Sequence, residues 1–315
     1  MKFVPKLYLY IIFTIFSYSL RAIPIISVPD TSKVVKLGEV TVTATRTDRI
    51  LGSEPMPVTF ISKREISNLG SLRLNDILAQ QTGLNIVYKA YGTGLEVQGF
   101  DPAYTLILID GEPVLGRNNG VLDLTRFALG NVKRIEIVKG PSSCLYGSDA
   151  LAGVVNIITE NPEKTTVNFS GRYETNQTND LAGNISAKGK NTSFSLFLDR
   201  YSTNGYDLSA DTAYGKTVEP YFNYTLCPRF SWQFNPKLQL KVSGRYFYQF
   251  QQNDSRINDE AGNNFLIEGN SKEDDFSFNP VLKYTPNKKL TNTLRFYMSG
   301  FDAYTNLHQV ENGEQ

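Results

Sequence analysis

"RIEIVKGPSSCLYGSDALAGVVNIIT", Arg134 to Thr159, separates two stretches of chain with different textures. It begins as a charged, alternating strand and runs into a loop of Gly, Pro and Ser. It ends in a second strand with no polar residue from Gly153 until Asn156. Nothing in it is arranged for catalysis. Gly140, Gly147 and Gly153 suit tight turns or close backbone approach, and Pro141 and Tyr146 lie between them.

Upstream, the chain reads as an α+β domain. Val58 to Ile61 suggests a strand. Ser71 can cap a helix running through Gln81, with Leu72, Ile77 and Leu78 as its apolar stripe and Gly83 after its end. Leu84 to Tyr88 reads as a strand, followed by a Gly-rich turn from Tyr91 to Gly94. Thr105 to Ile109 is an apolar run that reaches Asp110-Gly111, a strong hairpin signal. Leu122 to Leu129 reads as a short helix, and Val132–Val138 and Val154–Ile158 as strands.

Downstream of Lys164 the period becomes two. Leu238, Leu240, Val242, Tyr246, Tyr248 and Phe250 share one face, while Gln239, Lys241, Ser243, Arg245, Gln249 and Gln251 share the other. Similar runs recur, giving about seven strands, several longer than the roughly 5–6 residues usual in a soluble sandwich. Long strands with one apolar face and one polar face match a membrane barrel. Tight turns at Gly189-Lys190-Asn191, Asn235-Pro236-Lys237 and Pro286-Asn287-Lys288 alternate with longer connections, as periplasmic turns and extracellular loops do. Pro228 and Pro280 sit awkwardly in such strands and are read as bulges or strand ends.

Composition narrows the function classes. The 32 Lys+Arg balance 31 Asp+Glu, so no basic excess marks a nucleic-acid binder. One histidine, His308, leaves little for a His-based metal centre or a Ser-His-Asp triad, and two cysteines exclude a disulfide scaffold. No cofactor is called for. At the N-terminus Lys2 and Lys6 precede the apolar run Leu7–Phe16, the layout of an export signal ending near Ala22. That run is too short to span about 30 Å of hydrocarbon comfortably.

Several stretches together resemble the TonB-dependent outer-membrane receptors. Glu39-Val40-Thr41-Val42-Thr43-Ala44-Thr45-Arg46 is similar to the energy-coupling TonB box and its sequel. Leu74-Asn75-Asp76-Ile77-Leu78 with Thr82-Gly83-Leu84-Asn85-Ile86 resembles the helix and following turn of the plug domain. Val97-Gln98-Gly99-Phe100 resembles another family element, with Gln98 where Arg is usual. Thr105 to Val114 resembles the Asp110-Gly111 hairpin, and Arg134 to Thr159 resembles the most specific plug segment.

The resemblance implies an α+β plug followed by antiparallel transmembrane β-barrel strands, about seven of an expected 22. It implies an incomplete barrel, with an export signal at 1–22, a periplasmic segment with the TonB box at 23–49, the plug at 50–160 and barrel at 165–315. It implies uptake of a scarce nutrient across the outer membrane of a Gram-negative bacterium, with no enzymatic step. The ligand would be a metal chelate such as a ferric siderophore, haem or a corrinoid such as cobalamin, bound on the extracellular side. TonB would capture Glu39–Ala44 in the periplasm, and outer-membrane lipid would surround the wall.

Val40–Thr43 is extended and β-prone, suited to strand addition; the alternative is an ordinary first strand. Tyr91 and the loop Arg117-Asn118-Asn119 are candidate ligand contacts, or plain surface turns. Arg134, Glu136 and Lys139 either pair with lumen-facing residues such as Arg172, Glu174 and Arg229 or stay solvated. Cys144 reads as packing and Cys227 falls on the polar strand face. A different class of function, an exported β-rich surface binding protein or adhesin without transport, also fits the β-rich half.

Overall fold

The computed structural model describes residues 41–42, 49–50, 58–70, 73–89, 92–140, 146–208, 216–258, 264–287 and 289–310. The proposed signal segment, Glu39, Val40, Thr43, Ala44, Ser71, Leu72, Tyr91, Pro141 and Cys144 lie outside them. Two short strands, β1 (Thr41–Val42) and β2 (Arg49–Ile50), pair antiparallel.

The N-terminal domain is built on a five-stranded sheet. Its strands are β3 (Val58–Ser62), β6 (Thr105–Ile109), β7 (Glu112–Pro113), β8 (Val132–Lys139) and β9 (Gly153–Thr159), in the order β3-β8-β9-β6-β7, with β6 and β9 parallel. Both faces of this sheet are covered. Ile107, Ile135, Ile137, Val155 and Ile157 belong to the larger core cluster, and Leu106, Leu108, Val138 and Val154 to a second one. A strand buried on both faces has no polar side to alternate with, which explains the apolar run of β6 and that of β9, broken only by the buried Asn156. Ile137 is fully buried. Ile137→Ala should cost about 2–5 kcal/mol through lost burial and the cavity left behind. Amide exchange across β8 and β9 should accelerate accordingly; unchanged protection would contradict this placement of the core.

Two short helices pack on the sheet. In α1 (Lys63–Leu69), Ser62 Oγ accepts from Glu65 N at 3.3 Å, while the Glu65 carboxylate accepts from Ser62 N at 2.7 Å. These Ser62 hydrogen bonds hold the Glu65 carboxyl below the usual carboxylate range. Gly70 closes the helix in the left-handed region at φ +63°. In α2 (Leu74–Leu78), Leu74, Ile77 and Leu78 are all fully buried. The expected helix 71–81 is therefore only five residues long. The expected helix Leu122–Leu129 is reduced to one 3-10 turn, Leu124–Arg126, capped by the Asp123 side chain. The expected Gly-rich turn is corrected too: β4 (Leu84–Lys89) pairs with β5 (Gly92–Val97), so Gly92 and Gly94 are strand residues. A Cβ at Gly94 would come within 2.8 Å of Pro102, and one at Gly92 within 2.7 Å of Asp123. These glycines serve close approach rather than a turn.

The second half is one antiparallel array of neighbouring strands: β10 (Thr166–Glu174), β11 (Thr178–Lys188), β12 (Thr192–Thr203), β13 (Tyr221–Asn235), β14 (Leu238–Asn258) and β15 (Asn264–Asn287), followed by β16 (Leu290–Arg295) and β17 (Met298–Val310). The last two share one register on β15 and are separated only at Phe296 and Tyr297. They amount to one interrupted strand, which gives the seven that the alternation predicts. Outward residues such as Phe169, Leu198, Leu226, Trp232 and Phe276 are exposed, whereas inward Asp180, Asp199, Asn223, Thr225, Arg245 and Asp275 are buried.

The two prolines are neither bulges nor strand ends. Pro228 pairs with Leu196 in an unshifted register, while the ladder to β14 skips from Leu226 to Arg229 opposite Gly244, which leaves room for the ring. Pro280 lies opposite the β16–β17 interruption, where its carbonyl accepts from Phe296 N at 3.1 Å. In both places a missing N–H is absorbed by a local gap in one ladder. Among the described residues no helix is long and apolar enough to cross a membrane.

Candidate functional site between the domain and the strand wall

The inward face of the wall meets the N-terminal domain through charged groups. At the centre, the Asp275 carboxylate on β15 sits between two guanidiniums: Arg126 from the domain and Arg245 from β14. All three are buried. Arg126 Nη1 donates to Gly116 O at 2.9 Å, and Arg245 Nη2 donates to Arg126 O at 2.9 Å. Aromatic rings cover the group: Arg126 lies 4.9 Å from the Phe301 ring centroid, and Arg245 lies 5.1 Å from that of Phe247. Gly116 has φ +96°, and a Cβ there would come within 2.3 Å of the Phe301 ring. The loop carrying it therefore lies directly on the wall.

A second contact is made by Arg73, just before α2. It donates to Asp199 on β12 at 2.8 Å, approaches Asp180 on β11 at 3.6 Å, and stands 4.7 Å over the Tyr201 ring. A third contact involves the β6–β7 hairpin. Asp110 (φ +51°) and Gly111 (φ +86°) both adopt left-handed conformations, as a two-residue Asp-Gly turn requires. The Asp110 carboxylate accepts from Thr159 N at 3.0 Å and pairs with Arg229 of β13. Next to it, Arg295 pairs with Glu112 at 2.6 Å and Tyr297 Oη donates to Pro113 O at 2.7 Å. A cavity of about 470 Å³ separates this edge of the domain from the wall, lined by Asp110, Arg229, Cys227, Ser243, Ser277 and Asn279 among others.

The residues singled out in the sequence fall differently from expectation. Arg134 pairs with Glu136 at 2.7 Å within the domain, and Arg172 with Glu174 at 3.2 Å within the wall. Arg172 also donates to Gly70 O at 2.8 Å, and Lys139 donates to Thr82 O. Of the expected partners, Arg172 and Arg229 do reach the domain, but at Gly70 O and Asp110. Glu136 faces Asn156 in register, both fully buried, and Asn156 Oδ1 accepts from Gly111 N at 3.0 Å. The side chains carrying most of the interface, Arg73, Arg126, Asp180, Asp199 and Asp275, were not singled out. Their signal was available on the wall: acids at inward positions of strands whose outward positions are apolar.

Arg117 donates to Pro102 O, Gly120 O and Thr105 O, at 3.0, 3.2 and 2.6 Å, pinning its own loop. Burial pushes its guanidinium down and Asp149 opposes that. The loop tip is Asn119, exposed and at φ +48°, with Asn118 and Val121 bridged through their backbones. Gly140 and Gly147 are at φ +103° and +86°, and Tyr146 packs on the smaller core cluster. Among the described residues, no group of three or more His, Cys, Asp or Glu is placed to hold a metal ion.

An α+β domain ion-paired to the polar face of a wall that is apolar outside is the geometry of a stopper in a barrel. A family model described as the TonB-dependent receptor plug domain matches residues 51–154. Residues 51–154 are a TonB-dependent receptor plug domain.

The plug and wall together are similar in fold to solved siderophore receptors. The siderophore receptor PiuA from Acinetobacter baumannii superposes with a TM-score of 0.62 at 17% identity, over 81% of this chain and 38% of that one. PirA from the same organism gives 0.53 at 18%, over 79% and 45%. The outer-membrane ferripyoverdine receptor of Pseudomonas aeruginosa, bound to ferripyoverdine, gives 0.56 at 15%, over 85% and 41%. The chain thus spans less than half the length of each of these receptors.

Proposed function

We propose that the chain belongs to an outer-membrane receptor that takes up a scarce metal chelate of the ferric siderophore class. Ligand binds at the end of the wall that carries the long connection between β12 and β13, and release inward is driven by TonB. The observation that carries this reading is the docked plug: its Arg73, Arg126 and Asp110 engage wall residues Asp199, Asp275 and Arg229. A surface adhesin without transport has no need of a charged, enclosed domain held against a polar inner face. Among the ligand classes the sequence leaves open, the likeness to siderophore receptors favours a ferric siderophore over haem or cobalamin.

In this reading, discrete ion pairs hold the plug while the polar walls of the cavity let water enter when it moves. Tyr91, Arg117, Asn118 and Asn119 present the extracellular apices to ligand, with Arg117 fixing the shape of its loop. TonB recognises the segment Glu39–Ala44. Thr41–Val42 already forms a short ladder with Arg49–Ile50, and main-chain pairing of this kind is what strand addition uses. Deleting Val40–Thr43 from the receptor as the cell makes it should abolish uptake of iron chelate while leaving its binding to whole cells intact. Uptake at the normal rate in that deletion would refute TonB coupling through this segment.

A further inference from the structure

On strands β10 to β13 the outward face of the wall carries one anomaly. Alternation places Leu181, Gly183 and Ile185 of β11, Leu196, Leu198 and Arg200 of β12, and Tyr224, Leu226 and Phe230 of β13 on the side away from the plug. Among the described outward positions of β10 to β13, Arg200 is the only formally charged side chain. A cation on the lipid face costs about 2–4 kcal/mol at mid-membrane and near zero to 1 at the interface.

Arg200 stands at such a level. It is opposite Tyr224, next to an aromatic cluster in which Phe222 stacks on Phe250 at 5.6 Å and meets Tyr224 edge-on at 5.7 Å. The other end of the belt is marked by Trp232 stacked on Phe234 at 4.3 Å. Barrels place such aromatic girdles at the two interfaces, and their short turns face the periplasm. Arg200 therefore belongs to the outer interface. Its guanidinium meets hydroxyls, Ser202 Oγ at 3.2 Å and Tyr224 Oη at 3.4 Å, and lies 5.8 Å from the Tyr224 ring centroid. Among the described residues no carboxylate is paired with it.

Beside Arg200 the surface is dented. Gly171 and Gly183 occupy neighbouring outward sites on β10 and β11, packed under Leu181 and Phe169, in the floor of a shallow apolar depression of about 590 Å³. Phe169, Leu181, Leu198 and Tyr246 rim it. An arginine that merely reaches up to water needs no trough beneath it. A cation at headgroup level above an apolar trough has the two halves of a site for a lipid with a phosphate and an acyl chain. The outer side of such a membrane supplies that chemistry as phosphorylated glycolipid.

We propose that this depression binds one phosphorylated glycolipid of the outer leaflet, with an acyl chain over Gly171 and Gly183 and a phosphate on Arg200. The proposal rests on the outer-membrane reading above. Its test is native mass spectrometry of receptor purified from outer membranes in detergent and offered bisphosphorylated lipid A, its dephosphorylated form, or phosphatidylglycerol. One molecule of bisphosphorylated lipid A should remain bound. Arg200→Gln, Gly183→Leu and removal of the phosphates should each lower the bound fraction by about fivefold or more, as loss of a charge-assisted contact or of the trough predicts. Gly183→Leu leaves Arg200 untouched and so separates a built site from a cation that only seeks water.

Equal retention by wild type and both variants, all folded by heat-modifiable migration, would overturn the proposal, as would equal retention of phosphatidylglycerol. A receptor missing from the outer membrane would overturn the uptake reading as well, whereas the lipid outcomes leave that reading standing.

Discussion

Asp275→Ala should loosen the plug from the wall more than any other single change of a charged side chain at the interface. The carboxylate is the shared counter-charge of Arg126 and Arg245, which are 1% and 8% exposed. Its removal leaves two guanidiniums facing each other out of water. Breaking a buried pair in this way costs about 3–5 kcal/mol, mostly as the penalty of an uncompensated buried charge. The remaining contacts absorb little of it: Gly116 O and the Phe247 and Phe301 rings offer partial charges only, and Glu273, two positions along β15, acts on Arg126 without forming an ion pair with it. The expected result is a plug that proteases cut sooner in the folded receptor, and cells that become sensitive to large hydrophilic antibiotics. Replacing Arg126, Asp275 and Arg245 together by Met, Leu and Met should restore most of the stability, because an apolar trio of similar volume removes the stranded charge. A single Asp275→Ala receptor as resistant as the parent would show that the pair does not hold the plug.

The same triad marks the limit of what the sequence alone could reveal. Strand alternation depends on local spacing, so the seven wall strands and their two faces were readable. So was the Asp110-Gly111 turn, because two left-handed residues in succession demand that chemistry. Partner choice across the interface is not local. Arg134 and Glu136 are two apart on one strand, hence on one face, and they pair with each other before any wall group can reach them. Arg126 reaches Asp275 only because the 3-10 turn and the Gly116 loop deliver it there, across 149 positions of sequence. One miss was avoidable: Ser62-Lys63-Arg64-Glu65 is a capping-box pattern that announces α1. Another was a matter of meaning, for glycine at 92 and 94 signals either a turn or a close approach, and only packing against Asp123 and Pro102 decides.

Gly153→Ala should be the most damaging small substitution in the stretch Arg134–Thr159. Gly153 pairs with Lys139 at the start of β9, in a backbone conformation (φ +158°) that L side chains rarely adopt. A Cβ there would lie 2.4 Å from the Val138 carbonyl oxygen, a backbone atom that cannot rotate away. Relief requires β9 to move off β8, which would pull Val154 and Val155, both fully buried, out of register with Val138 and Ile137. Backbone strain of this kind alone costs about 1–3 kcal/mol, and disturbed packing adds to it. Gly140 and Gly147 provide the internal control. Both have positive φ, yet a Cβ at either would meet nothing within 4 Å. Alanine there should cost only the strain of the conformation, about 1–3 kcal/mol, with no clash added. Denaturant midpoints of the three alanine variants, measured on the purified receptor, should therefore place Gly153→Ala well below the other two. Equal losses at all three would mean that φ, not the approach to Val138, selects glycine. The unequal order would tie the identity of this segment to strand contact within the plug, where β9 must stay paired as its far end runs on into the wall.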